Sequence, residues 1–91
     1  MHQEIAQTLA LRALSWLMGD DIHRDAFLAQ SGADAAALRA GARDLVFLGF
    51  VLDFILQSDD RIVDFCDAEG LEYDAPALAR AALPGAADLH G

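Results

Sequence analysis

Residues 45–57 read LVFLGFVLDFILQ. From Leu45 to Leu56 the run is interrupted by a single charge, Asp53. On a wheel of about 100° per residue, Gly49, Asp53 and Gln57 recur at i, i+4 and i+8 as one thin stripe, and every other direction is apolar. A helix greasy around most of its circumference needs neighbours on nearly every side. The stretch is therefore predicted as the central helix of an all-α bundle. Asp53 is expected to point along the stripe towards solvent, and Gly49 to let a neighbouring backbone approach. The run is well short of the ~20 residues that cross a bilayer.

Working outward, the flanking segments read as shorter helices enclosing that rod. Asp44 stands where an N-cap belongs. Upstream, residues 3–18 carry a helical period, with Ile5, Leu9, Ala13, Trp16 and Leu17 on one face and Leu11, Leu14 and Met18 widening it. A helix this apolar belongs in a core or at an interface. Gly19 is expected to close it in the left-handed conformation. Asp20 or Asp21 then caps a helix over residues 22–30 that offers Ile22, Ala26, Phe27 and Ala29 to the core. Asp34 caps another over 35–42, anchored by Leu38, and Gly41 weakens its end.

Downstream, Ser58 or Asp59 caps a helix over residues 60–69 whose inner face is Ile62, Val63, Phe65 and Cys66. Asp74 caps a last helix over 75–83, with Pro76 tolerated in its first turn. Tyr73 and Leu78 are spaced for a hydrophobic staple. Residues 1–85 thus form one domain of five or six helices, and 86–91 are expected to fray.

Composition bounds the function. The chain has 91 residues, fifteen acids, six arginines and no lysine, for a formal net charge of −9. Polyanions are held by Lys and Arg through counterion release, so DNA, RNA and anionic lipid are disfavoured partners and basic proteins are favoured ones. A lone cysteine forms no internal disulfide. The start carries Glu4 instead of a basic residue followed by an apolar run. The expected compartment is the cytoplasm.

Four constellations could carry chemistry. Asp20, Asp21, His23 and Asp25 are oxygen and nitrogen donors for a hard cation, but the spacing lacks the turn glycine and closing acid of a calcium loop, and capping explains the aspartates. Asp59, Asp60, Asp64 and Asp67 read as the wet face of an amphipathic helix. Cys66 lies beside Ile62 and Phe65 as a small hydrophobe with no base in view. The segment from Arg24 to Arg43 resembles helix-turn-helix, yet its second helix offers Arg39 and little else to a base edge. No catalytic residue, metal ligand or cofactor is assigned.

The stretches ALRALSWLMGD (10–20), FLAQSGADAAALR (27–39), FLGFVLDFILQSDDRIVDFCDAEGL (47–71) and RAALPG (80–85) together resemble the domain-of-unknown-function family DUF3572. The resemblance spans nearly the whole chain. It implies a small, free-standing cytoplasmic protein typical of alphaproteobacteria, and it transfers no catalytic or binding residue.

The reading that remains is a non-catalytic interaction or regulatory module whose partner is another protein or a second copy of the chain. Trp16, Phe50, Asp53 and Gln57 are the expected interaction surface. The alternatives are a nucleic-acid-associated regulator built on the second and third helices, and a small-molecule carrier with a cavity among the phenylalanines.

Overall fold

The computed structural model describes residues 1–84. Over them the chain forms six helices and no strand: α1 (Gln3–Met18), α2 (Asp21–Ser31), α3 (Ala35–Gly41), α4 (Leu45–Leu56), α5 (Asp59–Glu69) and α6 (Ala75–Ala81). The boundaries fall within two residues of those expected from the sequence. The tail expected to fray lies outside the described residues.

Most helix starts are closed by the side chains that the sequence offers. Asp20 accepts from the His23 N–H at 2.8 Å, Asp34 from Ala37 at 2.8 Å, Asp44 from Val46 at 2.9 Å and Ser58 from Arg61 at 3.4 Å. Asp74 corrects the pattern. Its backbone is already helical (φ −85°, ψ −10°) and its carboxylate caps nothing. The need is smaller there, because Pro76 has no N–H and the Ala75 N–H donates to the Glu72 carbonyl at 3.0 Å. Tyr73 and Leu78 both stay about half exposed, and the Tyr73 hydroxyl donates to Asp67 at 2.8 Å.

Gly32 and Gly70 end α2 and α5 with φ of 69° and 67°, the left-handed stop that glycine supplies without strain. Gly19 does not. It is right-handed at φ −85°, and its N–H closes onto the Ser15 and Trp16 carbonyls while the chain turns through Asp20 into α2.

Helix α4 is the hub. It packs against α1, α3, α5 and α6, and α1 also holds α2 and α6. Leu48, Val51, Leu52, Phe54 and Ile55 of α4 are fully buried, with Leu17, Phe27, Phe65 and Cys66 brought to them from three other helices. Phe27 anchors α2. Its ring meets Phe47 and Phe54 edge-on, at 6.1 and 5.2 Å between centroids, and Phe50 at 5.8 Å. Such pairs contribute about 0.5–1.5 kcal/mol each beyond the area they bury.

Ile22 and Val63 depart from the expected core, Val63 being 38% exposed, and Ile5 takes the outer of the two places expected for α1, core or interface. Ile22 is 80% exposed, because it lies about 140° around α2 from Phe27, the one residue that helix buries. Ile5 is 55% exposed. Helix α1 buries Ala6, Leu9, Ala10, Ala13, Leu14 and Leu17 instead, a face of three leucines among three alanines small enough for neighbours to come close. The apolar arc of α1 is wider than its buried face, and the surplus lies along one flank.

Candidate functional site: an apolar groove along α1

The stripe singled out in the sequence is occupied from within the chain. The Asp53 carboxylate accepts from Arg80 Nε at 2.6 Å, so it faces α6 while its side chain remains 47% exposed. Gly49 is buried beneath that guanidinium: a Cβ there would stand 2.9 Å from Arg80 Nη1 and 3.4 Å from the Pro84 carbonyl oxygen. The close approach foreseen at Gly49 thus comes mainly from an arginine side chain. Gln57 takes Arg61 Nη1 at 3.4 Å, and the same nitrogen donates to the Phe54 carbonyl at 3.0 Å with the guanidinium carbon 3.9 Å above the Phe54 ring.

Phe50 packs on Phe27 and Phe47, and Trp16 lies between His23 at 4.7 Å and Phe65 at 5.5 Å. All four residues expected to form a surface make contacts within the fold: Phe50, Asp53 and Gln57 follow one another at i, i+3 and i+7 along α4, and Trp16 comes from α1. Position i+4 made the Arg61–Gln57 contact readable. Arg80 is 27 residues from Asp53, and nothing local announces it.

The other constellations dissolve into structural roles. Asp20 caps α2, while Asp21 and Asp25 hold Arg24 at 3.0 and 3.6 Å. His23 Nε2 stands 3.9 Å from both Asp20 and Asp64. Among the described residues no group of three or more His, Cys, Asp or Glu side chains is arranged to hold a metal ion. Cys66 is buried and its thiol donates to the Glu72 carbonyl at 3.4 Å. Desolvation, with the Asp67 and Asp74 carboxylates adding to it, pushes that thiol above its ordinary pKa, the opposite of what a thiolate nucleophile needs. Arg39 is exposed, but α2 packs on α1 and α3 on α4, and the rest of the exposed face of α3 is alanine.

A groove of about 460 Å³ runs along the surplus flank of α1. Ile5 and Leu9 form one side and Leu71 and Ala75, from the α5–α6 linker and the start of α6, the other; Met1, Glu4, Thr8 and Arg12 complete the wall. Two of its polar side chains are satisfied from within the fold, and the Glu4 carboxylate is exposed. The Thr8 hydroxyl donates to the Glu4 carbonyl at 3.1 Å. Arg12 donates from Nε to Glu69 Oε1 at 2.9 Å and from Nη2 to the Glu69 carbonyl at 2.8 Å, which ties α1 to the end of α5. Ile5 and Met1, 55% and 49% exposed, leave apolar surface open to water.

The sequence places Ile5 on the apolar face of a helix that belongs in a core or at an interface, and it does not mark Met1, Arg12 or Leu71 as a site. The available signal was the breadth of the apolar arc of α1, which exceeds what one core face uses. Nor does the groove lie among the phenylalanines, whose rings close on Phe27.

Over residues 3–86 the chain matches the family model described as Protein of unknown function (DUF3572). No curated protein and no solved structure matches it.

Proposed function

The chain belongs to the DUF3572 family, and on that premise we propose that it is a non-catalytic interaction module that engages another protein through the groove between α1 and the Leu71–Ala75 linker. The observation that carries this reading is the half-exposed pair Met1 and Ile5 on the open side of an apolar groove. Scattered apolar side chains are ordinary on a surface, but several converging on one concavity mark a binding site.

Catalysis finds little support. The lone thiol is buried and its pKa raised, and among the described residues the carboxylates serve as caps, as ion-pair or hydrogen-bond partners, or face water. A partner other than a second copy is favoured, because two chains of formal charge −9 repel each other. The same charge argues against a nucleic acid. No helix of the described residues is long and apolar enough to cross a membrane, and the module is proposed to act in the cytoplasm.

The test is a comparative capture. Tagged wild-type chain and the Ile5→Gln variant are used as bait in the native host, with Asp60→Asn as a surface control. The reading expects a protein retained by wild type and Asp60→Asn and lost with Ile5→Gln. Identical recovery on all three baits would contradict it.

A further inference from the structure

We infer that the groove along α1 receives an amphipathic helix whose apolar residues are flanked by lysines and arginines. The inference rests on the preceding reading of the groove as the interaction site, and it adds the chemistry of the occupant. Charge decides it. Among the described residues Arg12 is the one cationic side chain in the wall, and its charge is met by Glu69. The carboxylates nearby are not so balanced. Glu4 stands in the wall, Glu72 follows the lining residue Leu71, and Asp74 precedes the lining residue Ala75. All three are exposed, and among the described residues none forms an ion pair. With the Met1 ammonium counted on the other side, the unpaired acids in the wall and beside its lining residues still outnumber it three to one. Among the described residues an anionic amphiphile such as a fatty acid meets no free cationic side chain here. A cationic, apolar helix finds both its surfaces complemented.

The shape selects a helix over an extended peptide. The described residues contain no strand, so there is no sheet edge for a peptide to extend. The groove follows Glu4, Ile5, Thr8, Leu9 and Arg12, just over two turns of α1 or roughly 12 Å, with Met1 ahead of them. That length matches the i, i+3, i+4, i+7 anchors by which an amphipathic helix lies in a hydrophobic groove. The half-exposed Met1 and Ile5 also leave the groove too open to enclose the 70–90% of surface that a small-molecule pocket buries, about, in a drug-sized ligand.

The experiment uses two labelled peptides of about 14 residues, both with leucine at the four anchor positions. In one the remaining positions are lysine, in the other glutamate. Fluorescence anisotropy against the full chain reads binding at about 50 mM and about 500 mM salt. The proposal expects the Leu/Lys peptide to bind at least about tenfold more tightly than the Leu/Glu peptide at low salt, with the gap narrowing at high salt. Ile5→Gln is expected to weaken the Leu/Lys peptide by about fivefold or more.

The double variant Glu4→Gln/Glu72→Gln is compared with Asp59→Asn/Asp60→Asn, which removes the same charge at the far end of α5. That helix has 11 residues, so the control lies roughly 16 Å from the groove end. The first double variant is expected to weaken binding about fivefold or more and the second less than about twofold.

Equal binding of both peptides, each sensitive to Ile5→Gln, would keep the groove and overturn the cationic occupant. Leu/Lys binding indifferent to Ile5→Gln would overturn the groove itself. Failure of the Leu/Lys peptide to bind overturns the proposed occupant. Circular dichroism of each variant, matched to wild type, shows that a loss of binding is not a loss of fold.

Discussion

The Arg80 guanidinium lies across Gly49 and donates to Asp53 at 2.6 Å, joining α6 to the outer stripe of α4. The arginine side chain is 13% exposed, so its charge is largely removed from water. The Pro84 carbonyl accepts from Nη1 at 3.2 Å and shares the load. Removing the carboxylate leaves the cation under-compensated, a larger loss than removing both partners.

Asp53→Asn is expected to destabilise the fold by about 1–2 kcal/mol, the upper part of the range for a charged hydrogen bond being discounted for the exposure of Asp53. Arg80→Met, which removes the buried charge as well, is expected to cost less. Urea unfolding of both single variants and the double variant gives a coupling energy of about 1 kcal/mol if the pair is as described. Strictly additive effects would refute it.

Gly41 looks like a helix-weakening residue, and replacing it by alanine would ordinarily stabilise a helix by about 1 kcal/mol. Here a Cβ would overlap the ring of Phe47, which lies directly on the glycine. Phe47 is in turn fixed by Phe27 and Phe50, so the ring has little room to yield. Gly41→Ala is expected to lower stability by a net ~1–2 kcal/mol, as overpacking does. A gain in the urea midpoint would show that the ring moves freely.

The caps divide cleanly. Asp34→Ala removes the acceptor of the Ala37 N–H and should cost about 1 kcal/mol. Asp74→Ala removes an aspartate in a position that looks equivalent in sequence but caps nothing. It should change stability by less than about 0.5 kcal/mol. Thermal melts of the two variants side by side make the comparison.

Alkaline pH should weaken the fold. Burial first, then Asp67 and Asp74, raise the Cys66 thiol above its ordinary 9.0, and the hydrogen bond to Asp67 first, then its charge, raise the Tyr73 hydroxyl above 10.0. Below pH 9 both states hold the thiol proton and the contribution is constant. Above it the unfolded chain releases that proton before the folded chain does. The folded state then binds more protons, so stability falls as pH rises. Urea midpoints at about pH 8 and about pH 10.5 should show the fall, and Cys66→Ala should make it shallower. An unchanged slope in that variant would contradict the assignment to Cys66.

The fold was largely legible because it is written in local signals. The run LVFLGFVLDFILQ is too apolar to be anything but surrounded, and Asp20, Asp34, Asp44 and Ser58 mark starts that their own backbones then use. What could not be read was long-range. Nothing near Asp53 announces Arg80, and nothing near Arg12 announces Glu69. Without those partners, Asp53 looks free for a partner, and the flank of α1 cannot be told from its core face. A broad apolar arc tells that a helix has much to cover, but which part stays uncovered depends on how far its neighbours reach. Ile22 and Val63 look like core for that reason and are exposed.

The groove on α1 is tested most directly by the methyl signals of the isoleucines. The chain carries Ile5 in the groove, Ile22 exposed on α2, Ile55 buried and Ile62 partly buried. A carbon–proton correlation spectrum is recorded with and without the Leu/Lys peptide. The account predicts that the Ile5 methyl shifts on binding while Ile22, though more exposed, stays where it is. A larger shift at Ile22, or equal shifts at both, would place the contact elsewhere and contradict the account.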